Sequence, residues 1–194
     1  MLNQQLNVIN SDFARFGISF SLQGVTRTVH STWSTDRNEL QMKQSLRRGD
    51  YRTLNLYFLR SVSGNLGYCY FPTYASPGST AFVRDGCTVL FSSVPGGSST
   101  NFNLGKTATH EIGHWLNLYH TFQGGCTGSG DLVADTPAQA SPSSGCPHGR
   151  DSCPSQPGLD PIHNYMDYSN DACYTEFTEG QRVRMHNAWN TFRA

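Results

Sequence analysis

Hydrophobic residues recur with a helical period in two stretches of the first 50 residues of the chain. Residues 2–14 show this spacing weakly and are expected to form a first helix. A second helix is expected between Asp36, which resembles a capping pair with Glu39, and Gly49, which suits a helix end. The N-terminal quarter of the chain is therefore predicted to contain two short helices.

Four other stretches have the patterns of strands. Ile18, Phe20 and Leu22 alternate with polar residues, which is typical of a half-buried strand. The stretch TLNLYFL, residues 53–59, is apolar on both faces toward its end and is predicted to be a central strand. The stretches GYCYFP and CTVLF, the latter at residues 87–91, are predicted as two more strands of the same small sheet.

The character of the chain changes after residue 120. Before that point, the stretch SSVPGGSSTN has the composition of a loop, and a helix is expected to begin after it, near Asn103. Residues 121–172 are rich in Gly, Pro, Ser, Asp and Cys and have little periodicity, which predicts an irregular lobe. Thr178 and Gln181 have the spacing of a capping box at the start of a last helix. The apolar face of that helix comprises Met185, Ala188, Trp189 and Phe192.

Length and charge narrow the classes of protein. A chain of 194 residues fits one domain, and we predict a single domain over residues 1–194, with an N-terminal lobe of about 1–120 and a C-terminal lobe of about 121–194. The 14 basic and 14 acidic residues balance and no basic run occurs, so no nucleic-acid partner is expected. No apolar run is long enough to span a membrane, and nothing after Met1 resembles a signal or transit peptide.

The cysteines indicate disulfides rather than a cysteine metal site. Their number, 6, is even, and none forms a C-x-x-C pair. Disulfides persist in oxidising compartments, so the protein is expected to be secreted and extracellular. Free buried thiols in a cytosolic protein are the alternative. The spacing alone leaves the pairing open.

The stretch HEIGH combines two histidines and a glutamate in a pattern that holds a metal ion. On a helix, His110 and His114 lie about 40° apart around the axis, so both rings leave the same face. Neutral imidazole is a good zinc ligand, and Glu111 lies beside this face, where it can accept a proton from water. The opposite side carries Ala108, Ile112 and Trp115 at core spacing. A pair of solvated surface histidines is the alternative.

A third histidine, His120, follows six residues after His114. In a continuing helix it would lie about 9 Å further along and about 120° around the axis, out of reach of a shared metal ion. We therefore predict that the helix ends after His114 and that the chain turns back through a residue with positive φ. Asn117 tolerates that conformation best after glycine. A continuing helix, with Asn117 exposed and His120 unrelated to the site, is the alternative.

The stretch HEIGHWLNLYH resembles the metzincin signature H-E-x-x-H-x-x-G-x-x-H, and NYMDYS resembles the Met-turn that follows it. With DTP and LNLYFL, these motifs are most similar to the pappalysin family, in particular to its secreted fungal and bacterial members. Asn117 stands where the family has glycine. The resemblance implies an α+β, metzincin-like, two-lobed catalytic domain. Such a domain has a twisted mixed sheet with a backing helix and an active-site helix, then an irregular disulfide-bonded lobe that ends in a helix.

The resemblance also implies the activity and the role of each site residue. The protein would be a secreted zinc endopeptidase that hydrolyses peptide bonds of protein or peptide substrates through a metal-activated water, with Glu111 as general base. Met166 would form a hydrophobic floor beneath the metal, and Tyr168 would direct its phenol at the metal or the developing oxyanion. A buried tyrosine with another partner is the alternative for Tyr168. The ligands of the one catalytic zinc ion would be His110, His114 and His120.

The resemblance further implies that substrate lies extended against an edge strand, for which CTVLF is the candidate. The residues after the Met-turn are expected near the pocket for the residue that follows the cleaved bond. Asp171 there would favour a basic side chain or would be a solvated loop acid. The three residues of this segment are Asn170, Asp171 and Ala172.

The irregular lobe is expected to contain two disulfides and a candidate calcium site. The resemblance implies the pairs Cys126–Cys153 and Cys146–Cys173, which leaves Cys69–Cys87 to join two nearby strands. The acidic loop GDLVADTP offers hard oxygen ligands for calcium, and the family also suggests a structural calcium there. An Asx turn followed by a proline stop is the alternative. The candidate calcium ligands are Asp131, Asp135 and Thr136.

Two other classes of protein fit part of the pattern. A catalytically impaired zinc-binding recognition protein of the same fold is favoured by Asn117 and disfavoured by Glu111, because such a protein has no need of that carboxylate. A disulfide-rich structural domain with an accidental motif is the other class, and metal analysis separates it from the first two. The motifs favour the endopeptidase.

Overall fold

The computed structural model describes residues 1–194 and contains five α-helices and three strands. Residues 2–14 are helical as predicted, and residues 121–172 contain no α-helix and no strand, also as predicted. No helix combines the length and the hydropathy that crossing a membrane requires. The elements are α1 (Leu2–Ala14), α2 (Glu39–Leu46), β1 (Leu56–Leu59), β2 (Gly67–Cys69), α3 (Thr80–Arg84), β3 (Cys87–Leu90), α4 (Lys106–Trp115) and α5 (Glu179–Phe192).

The strands form one mixed sheet in the order β1-β3-β2. β3 runs parallel to β1, with Leu56 opposite Cys87, and antiparallel to β2, with Cys69 opposite Cys87. The prediction of CTVLF as the edge strand for substrate is therefore wrong, and so is that of residues 53–59 as a central strand. Burial explains the order, because the first three residues of β3 are buried whereas every residue of β2 stays partly exposed. β2 has a free edge.

The strand predicted around Phe20 does not form. The side chain of Asn10 takes the place of a neighbouring strand, because its Nδ2 donates to the carbonyl of Phe20 (3.0 Å) and its Oδ1 accepts from the N–H of Phe20 (2.7 Å). Ile18 and Phe20 pack against the main core, whereas Leu22 is 54 % exposed. The alternating pattern therefore predicted the partial burial of Ile18 and Phe20 correctly, but it was wrong about Leu22 and about the backbone pairing.

The second helix begins two residues later than predicted, at Glu39. Asp36 and Asn38 have φ angles of 61° and 59°, and a right-handed helix cannot include residues in that conformation. Asp36 instead accepts a hydrogen bond from the hydroxyl of Tyr68 at 2.9 Å, so the predicted capping pair with Glu39 is absent. α2 ends at Leu46, before the predicted end at Gly49.

One main core holds α1, the sheet and α4 against the C-terminal part of the chain. α4 contributes Ala108, Ile112 and Trp115, each 0 % exposed, so its predicted core face is confirmed. Burying a large apolar side chain stabilises a fold by about 1.5–3 kcal/mol, so packing is what fixes this short helix. Other elements bury Ile9, Phe13, Val89, Met166, Phe177 and Met185 in the same core.

Disulfides hold the irregular residues that follow α4. A cross-link around a loop of 27 residues restricts the unfolded chain enough to stabilise the fold by about 3–4 kcal/mol. No cysteine is free. The three pairs, which are those implied by the family resemblance, are Cys69–Cys87, Cys126–Cys153 and Cys146–Cys173.

The last helix connects the irregular lobe to the end of α4. The capping box predicted for Thr178 and Gln181 is confirmed. After α5, the guanidinium of Arg193 donates to both carboxylate oxygens of Asp85 (2.8 and 3.2 Å) and to the carbonyl of Trp115 (3.2 Å). The C-terminal end of the chain therefore anchors the last residue of α4 from the side opposite His110 and His114.

Candidate metal centre

The first two histidines of the site lie on α4 and are almost completely buried. His110 and His114 are each 7 % exposed, and their Nε2 atoms are 3.2 Å apart. A spacing of four residues places both rings on the same face of the helix, opposite the face that packs in the core. Packing on one side of α4 therefore directs both imidazoles to the other side.

The chain turns back after α4 through a left-handed residue, as predicted. Asn117 has a φ of 73°, its N–H donates to the carbonyl of His114 (2.9 Å), and the N–H of Leu118 donates to the carbonyl of Gly113 (2.9 Å). This pair of bonds is the Schellman arrangement that ends many helices. The turn brings Nε2 of His120 to 3.1 Å from that of His114, so asparagine supports the turn for which the family uses glycine.

The protons on the imidazole rings follow from their hydrogen bonds. Nδ1 of His110 lies 2.6 Å from the carbonyl oxygen of Tyr165, and Nδ1 of His114 lies 2.7 Å from that of Leu118. A carbonyl oxygen only accepts, so both Nδ1 atoms carry protons and both Nε2 atoms are bare in the neutral rings. Burial lowers the pKa of His110 and of His114, and it lowers the pKa of His120 to about 4. All three rings are therefore neutral at neutral pH.

Bare nitrogens that face one another repel unless a cation lies between them. The three Nε2 atoms are 3.1–3.2 Å apart. A tetrahedral zinc ion, with bonds of about 2.0–2.1 Å to nitrogen, holds its ligand nitrogens about 3.3–3.4 Å apart. The structure contains one group of at least three His, Cys, Asp or Glu side chains that can share a metal ion, and it is this one. The donor set and its spacing fit a metal ion that prefers imidazole.

Glu111 presents a buried carboxylate with an uncommitted oxygen beside these histidines. Glu111 is 6 % exposed, and its Oε2 makes no hydrogen bond within the protein. Burial raises the pKa of Glu111 to about 8. A Cβ atom on Gly67 of β2 would lie 2.9 Å from Cγ and from Oε1 of Glu111, so the free-edge strand forms one wall around the carboxylate. A carboxylate in this state suits proton transfer near neutral pH.

The Met-turn packs beneath α4 where the helix has no side chain. Met166 is 0 % exposed, and its Sδ occupies the space that a Cβ on Gly113 would need. The N–H of Thr121 donates to the carbonyl of Met166 at 3.2 Å, which joins the segment of the third histidine to the Met-turn. Gly113 was not among the residues predicted to have a role at the site. The available signal was a glycine inside a helix pattern, which costs stability and needs a packing reason.

Tyr168 lies at the open side of the site. Its ring centroid is 4.9 Å from that of His120 and 5.6 Å from that of His110. The residue is 47 % exposed and its hydroxyl makes no hydrogen bond within the protein, so the alternative of a buried tyrosine with another partner is wrong. Burial of part of the ring, and then the charge of Glu111, raise the pKa of Tyr168. Its hydroxyl therefore stays protonated and can donate.

Asp171 supports the start of α4. It is 2 % exposed, and its Oδ2 accepts from the N–H groups of Leu104 (2.8 Å) and Lys106 (3.4 Å). The expectation of a solvated loop acid is therefore wrong, whereas that of a partner for a basic substrate side chain stays a prediction. Asn170 precedes it and Ala172 follows it in one short 3-10 turn. A carboxylate at this position stabilises the exposed N–H groups at the start of a helix.

The three candidate calcium ligands have different surroundings. Both oxygens of Asp135 accept hydrogen bonds at the N-terminus of α5 (2.7 and 2.9 Å), so this carboxylate caps a helix. Asp131 accepts from the N–H of Val133 at 3.1 Å, which is the Asx turn considered as the alternative. The second oxygen of Asp131 and the hydroxyl of Thr136 are buried without a partner. These two oxygens, without Asp135, are the ones free for a cation.

Comparison with known proteins gives a family and close relatives. The peptidase M43 model, described as pregnancy-associated plasma protein-A, matches residues 50–190. An extracellular metalloprotease of Colletotrichum graminicola is 69 % identical over 194 residues, which are 100 % of this chain and 69 % of that protein. Extracellular metalloprotease 1 of Coccidioides posadasii is 62 % identical over 194 residues, which are 100 % of this chain and 70 % of that protein.

Two solved structures of mirolysin are similar to this chain in fold. Mirolysin in complex with compound 9 matches with a TM-score of 0.82 at 30 % identity, over 97 % of this chain and 83 % of that one. Mature mirolysin of Tannerella forsythia in complex with a cleaved peptide matches with a TM-score of 0.78, also at 30 % identity and over 97 % and 83 % of the two chains.

Proposed function

Because the chain belongs to the peptidase M43 family, the pappalysins, we propose that it holds one catalytic zinc ion with His110, His114 and His120. It is a metalloendopeptidase with the α+β metzincin fold, as its motifs predicted. The observation that carries the zinc proposal is the set of three Nε2 atoms 3.1–3.2 Å apart, of which two are left bare by the hydrogen bonds of their Nδ1 atoms. Neutral imidazole is a ligand type that zinc prefers.

Zinc in such a ligand set acts as a Lewis acid that polarises the scissile carbonyl and makes water a stronger acid. Glu111 is the general base. Its free Oε2 takes a proton from the attacking water as the new C–O bond forms, and the carboxyl group then gives this proton to the leaving nitrogen as the C–N bond breaks. Its position beside His110 and His114, with Oε2 unpartnered, leaves that oxygen available for both transfers.

Tyr168 donates a hydrogen bond to the oxygen on which negative charge develops. Its free hydroxyl and its ring contact with His120 support this role. Substrate backbone pairs with the free edge of β2, which replaces β3 as the candidate strand. Gly67 in β2 contacts Glu111, so a peptide paired there lies beside the general base.

Further features concern the substrates, the location, the extent of the catalytic unit and a structural ion. Its substrates are peptides, as for its family. We propose that it is secreted, because its relatives are named extracellular metalloproteases and all of its cysteines are paired. We propose that residues 1–194 act as one catalytic unit, because α1, α4 and α5 share one core. We propose a structural calcium ion at the unpartnered oxygens of Asp131 and Thr136.

The alternative of an impaired zinc-binding protein was favoured only by Asn117, and the turn at Asn117 is complete. The test of the proposed function compares zinc content and cleavage of a mixed peptide library, with and without a chelator. Glu111→Gln should keep its zinc and lose most of the roughly 10²–10⁴-fold contribution of a general base. His120→Ala should lose zinc, whereas His148→Ala, at an exposed histidine outside the site, should change neither. Substantial cleavage by Glu111→Gln, or full zinc content in His120→Ala, contradicts these roles.

A further inference from the structure

One buried acid of the N-terminal helix contacts the metal site without belonging to it. Asp12 of α1 is 6 % exposed and accepts three hydrogen bonds from side chains far along the chain. Its Oδ1 accepts from Nζ of Lys106 (2.6 Å) and from the hydroxyl of Tyr165 (3.0 Å), and its Oδ2 accepts from the hydroxyl of Thr109 (2.7 Å). A buried carboxylate with three donors is rigidly held.

These donors lie on both sides of the first histidine ligand. Thr109 precedes His110 on α4, so its bond to Asp12 fixes the backbone from which that imidazole extends. Tyr165 carries the carbonyl oxygen that accepts from Nδ1 of His110 at 2.6 Å, and the hydroxyl of the same tyrosine is bound to Asp12. Asp12 therefore fixes both the backbone that carries the His110 side chain and the Tyr165 residue whose carbonyl oxygen orients its ring.

We propose that Asp12 is a positioning residue that directs Nε2 of His110 at the metal, so that α1 contributes to metal affinity. The inference rests on the proposed role of His110 as a ligand. Groups that orient a metal ligand typically change metal affinity about 10–100-fold when they are removed, because the free ligand then samples orientations in which it cannot bind. A purely structural role for the ion pair between Asp12 and Lys106 predicts lower stability with unchanged affinity.

The chain offers a matched control on the same helix. Gln5 of α1 is 2 % exposed, and its Nε2 donates to the carbonyl of Gly105 at 2.9 Å, immediately before α4 begins. It is as buried as Asp12 and also joins α1 to α4, but it makes no bond to Thr109 or Tyr165. Gln5→Leu should therefore lower stability and leave metal affinity unchanged.

The experiment measures the dissociation constant for zinc by competition with a chromogenic chelator, on variants shown by circular dichroism to be folded. Asp12→Ala should raise this constant about 10–100-fold. Asp12→Asn, which keeps the shape and one acceptor oxygen, should fall between the wild type and Asp12→Ala and serves if the alanine variant does not fold. Tyr165→Phe, which retains the carbonyl, should also weaken binding. Combined with Asp12→Ala it should add less than its separate effect, because both changes break the same bond.

A second readout follows the ligand geometry itself. In protein reconstituted with cobalt(II), the visible absorption bands should shift in Asp12→Ala and not in Gln5→Leu, since only the first change releases the His110 ring. A zinc dissociation constant of folded Asp12→Ala within about twofold of the wild-type value would overturn the inference. So would a loss of zinc affinity in Gln5→Leu as large as that in Asp12→Ala. Failure of the wild-type protein to bind zinc would instead overturn the proposed function on which it rests.

Discussion

Replacing Asn117 tests the turn that completes the metal site. Asn117 occupies the left-handed region with a φ of 73°, and two backbone hydrogen bonds of 2.9 Å close the turn around it. Glycine adopts this conformation without a Cβ penalty, whereas a β-branched residue resists it. We therefore expect Asn117→Gly to retain zinc and activity, and Asn117→Val to lose both.

The magnitudes follow from these contacts. The left-handed conformation costs a residue with a Cβ about 1–2 kcal/mol, less for asparagine, and glycine returns about 0.5–1 kcal/mol of this through the greater entropy of its unfolded chain. Asn117→Gly should thus change the free energy of unfolding by less than about 1 kcal/mol. Asn117→Val adds the full conformational penalty and weakens two hydrogen bonds of about 1 kcal/mol each. The total is about 2–4 kcal/mol, which corresponds to a loss of at least tenfold in zinc affinity if the turn opens.

The assay is zinc affinity by chelator competition together with peptidase activity, measured on both variants and on the wild type. A helix that continued through Asn117 would give the opposite order, because valine is about 0.5 kcal/mol better than glycine inside a helix. Equal or tighter zinc binding by Asn117→Val than by Asn117→Gly would therefore refute the role of the turn.

Three other changes test contacts around the site. Gly113→Ala should gain about 1 kcal/mol in helix propensity but lose more through overlap of the new Cβ with the sulfur of Met166, so its melting temperature should fall. In a Met166→Ala background the overlap is absent and the same change should raise the melting temperature. Gly67→Ala should retain zinc and lower kcat, because its Cβ would lie 2.9 Å from Oε1 of Glu111; an unchanged kcat contradicts this. Calcium should raise the melting temperature of chelator-treated protein at pH 7 and raise it less at pH 5, because burial raises the pKa of Asp131 to about 6 and the ion must displace its proton below that; no rise at pH 7 removes the calcium site.

Features that depend on residues a few positions apart could be predicted from the sequence, because their geometry is local. The spacing of His110 and His114 specifies one face of a helix, and the capping box at Thr178 specifies the start of another. The turn at Asn117 was also predictable, since the next histidine is useful only if the helix ends and asparagine is the residue before it that accepts positive φ.

The order of the strands could not be predicted in the same way. Periodicity reports how many faces of a strand are buried, and both LYFL and CTVL are largely apolar. Which of them lies in the centre depends on what covers each edge, and that is decided by distant parts of the chain. The residues around Phe20 show the same limit, because the side chain of Asn10 satisfies the backbone groups that a strand pairing would have used.

The structural roles of the buried and capping acids could not be predicted for a related reason. Asp12 had no predicted role, Asp135 was a candidate calcium ligand and Asp171 a candidate substrate contact. Their hydrogen-bond partners in the fold lie 43 to 153 residues away. The residues proposed to carry the chemistry are mostly close in sequence, whereas the acids that support α4 come from α1 and from the turn after the Met-turn. Changes at His110 should therefore act on the metal with little effect on the metal-free fold. Changes at Asp12 or Asp171 should act on both, because each of these acids joins α4 to another part of the chain.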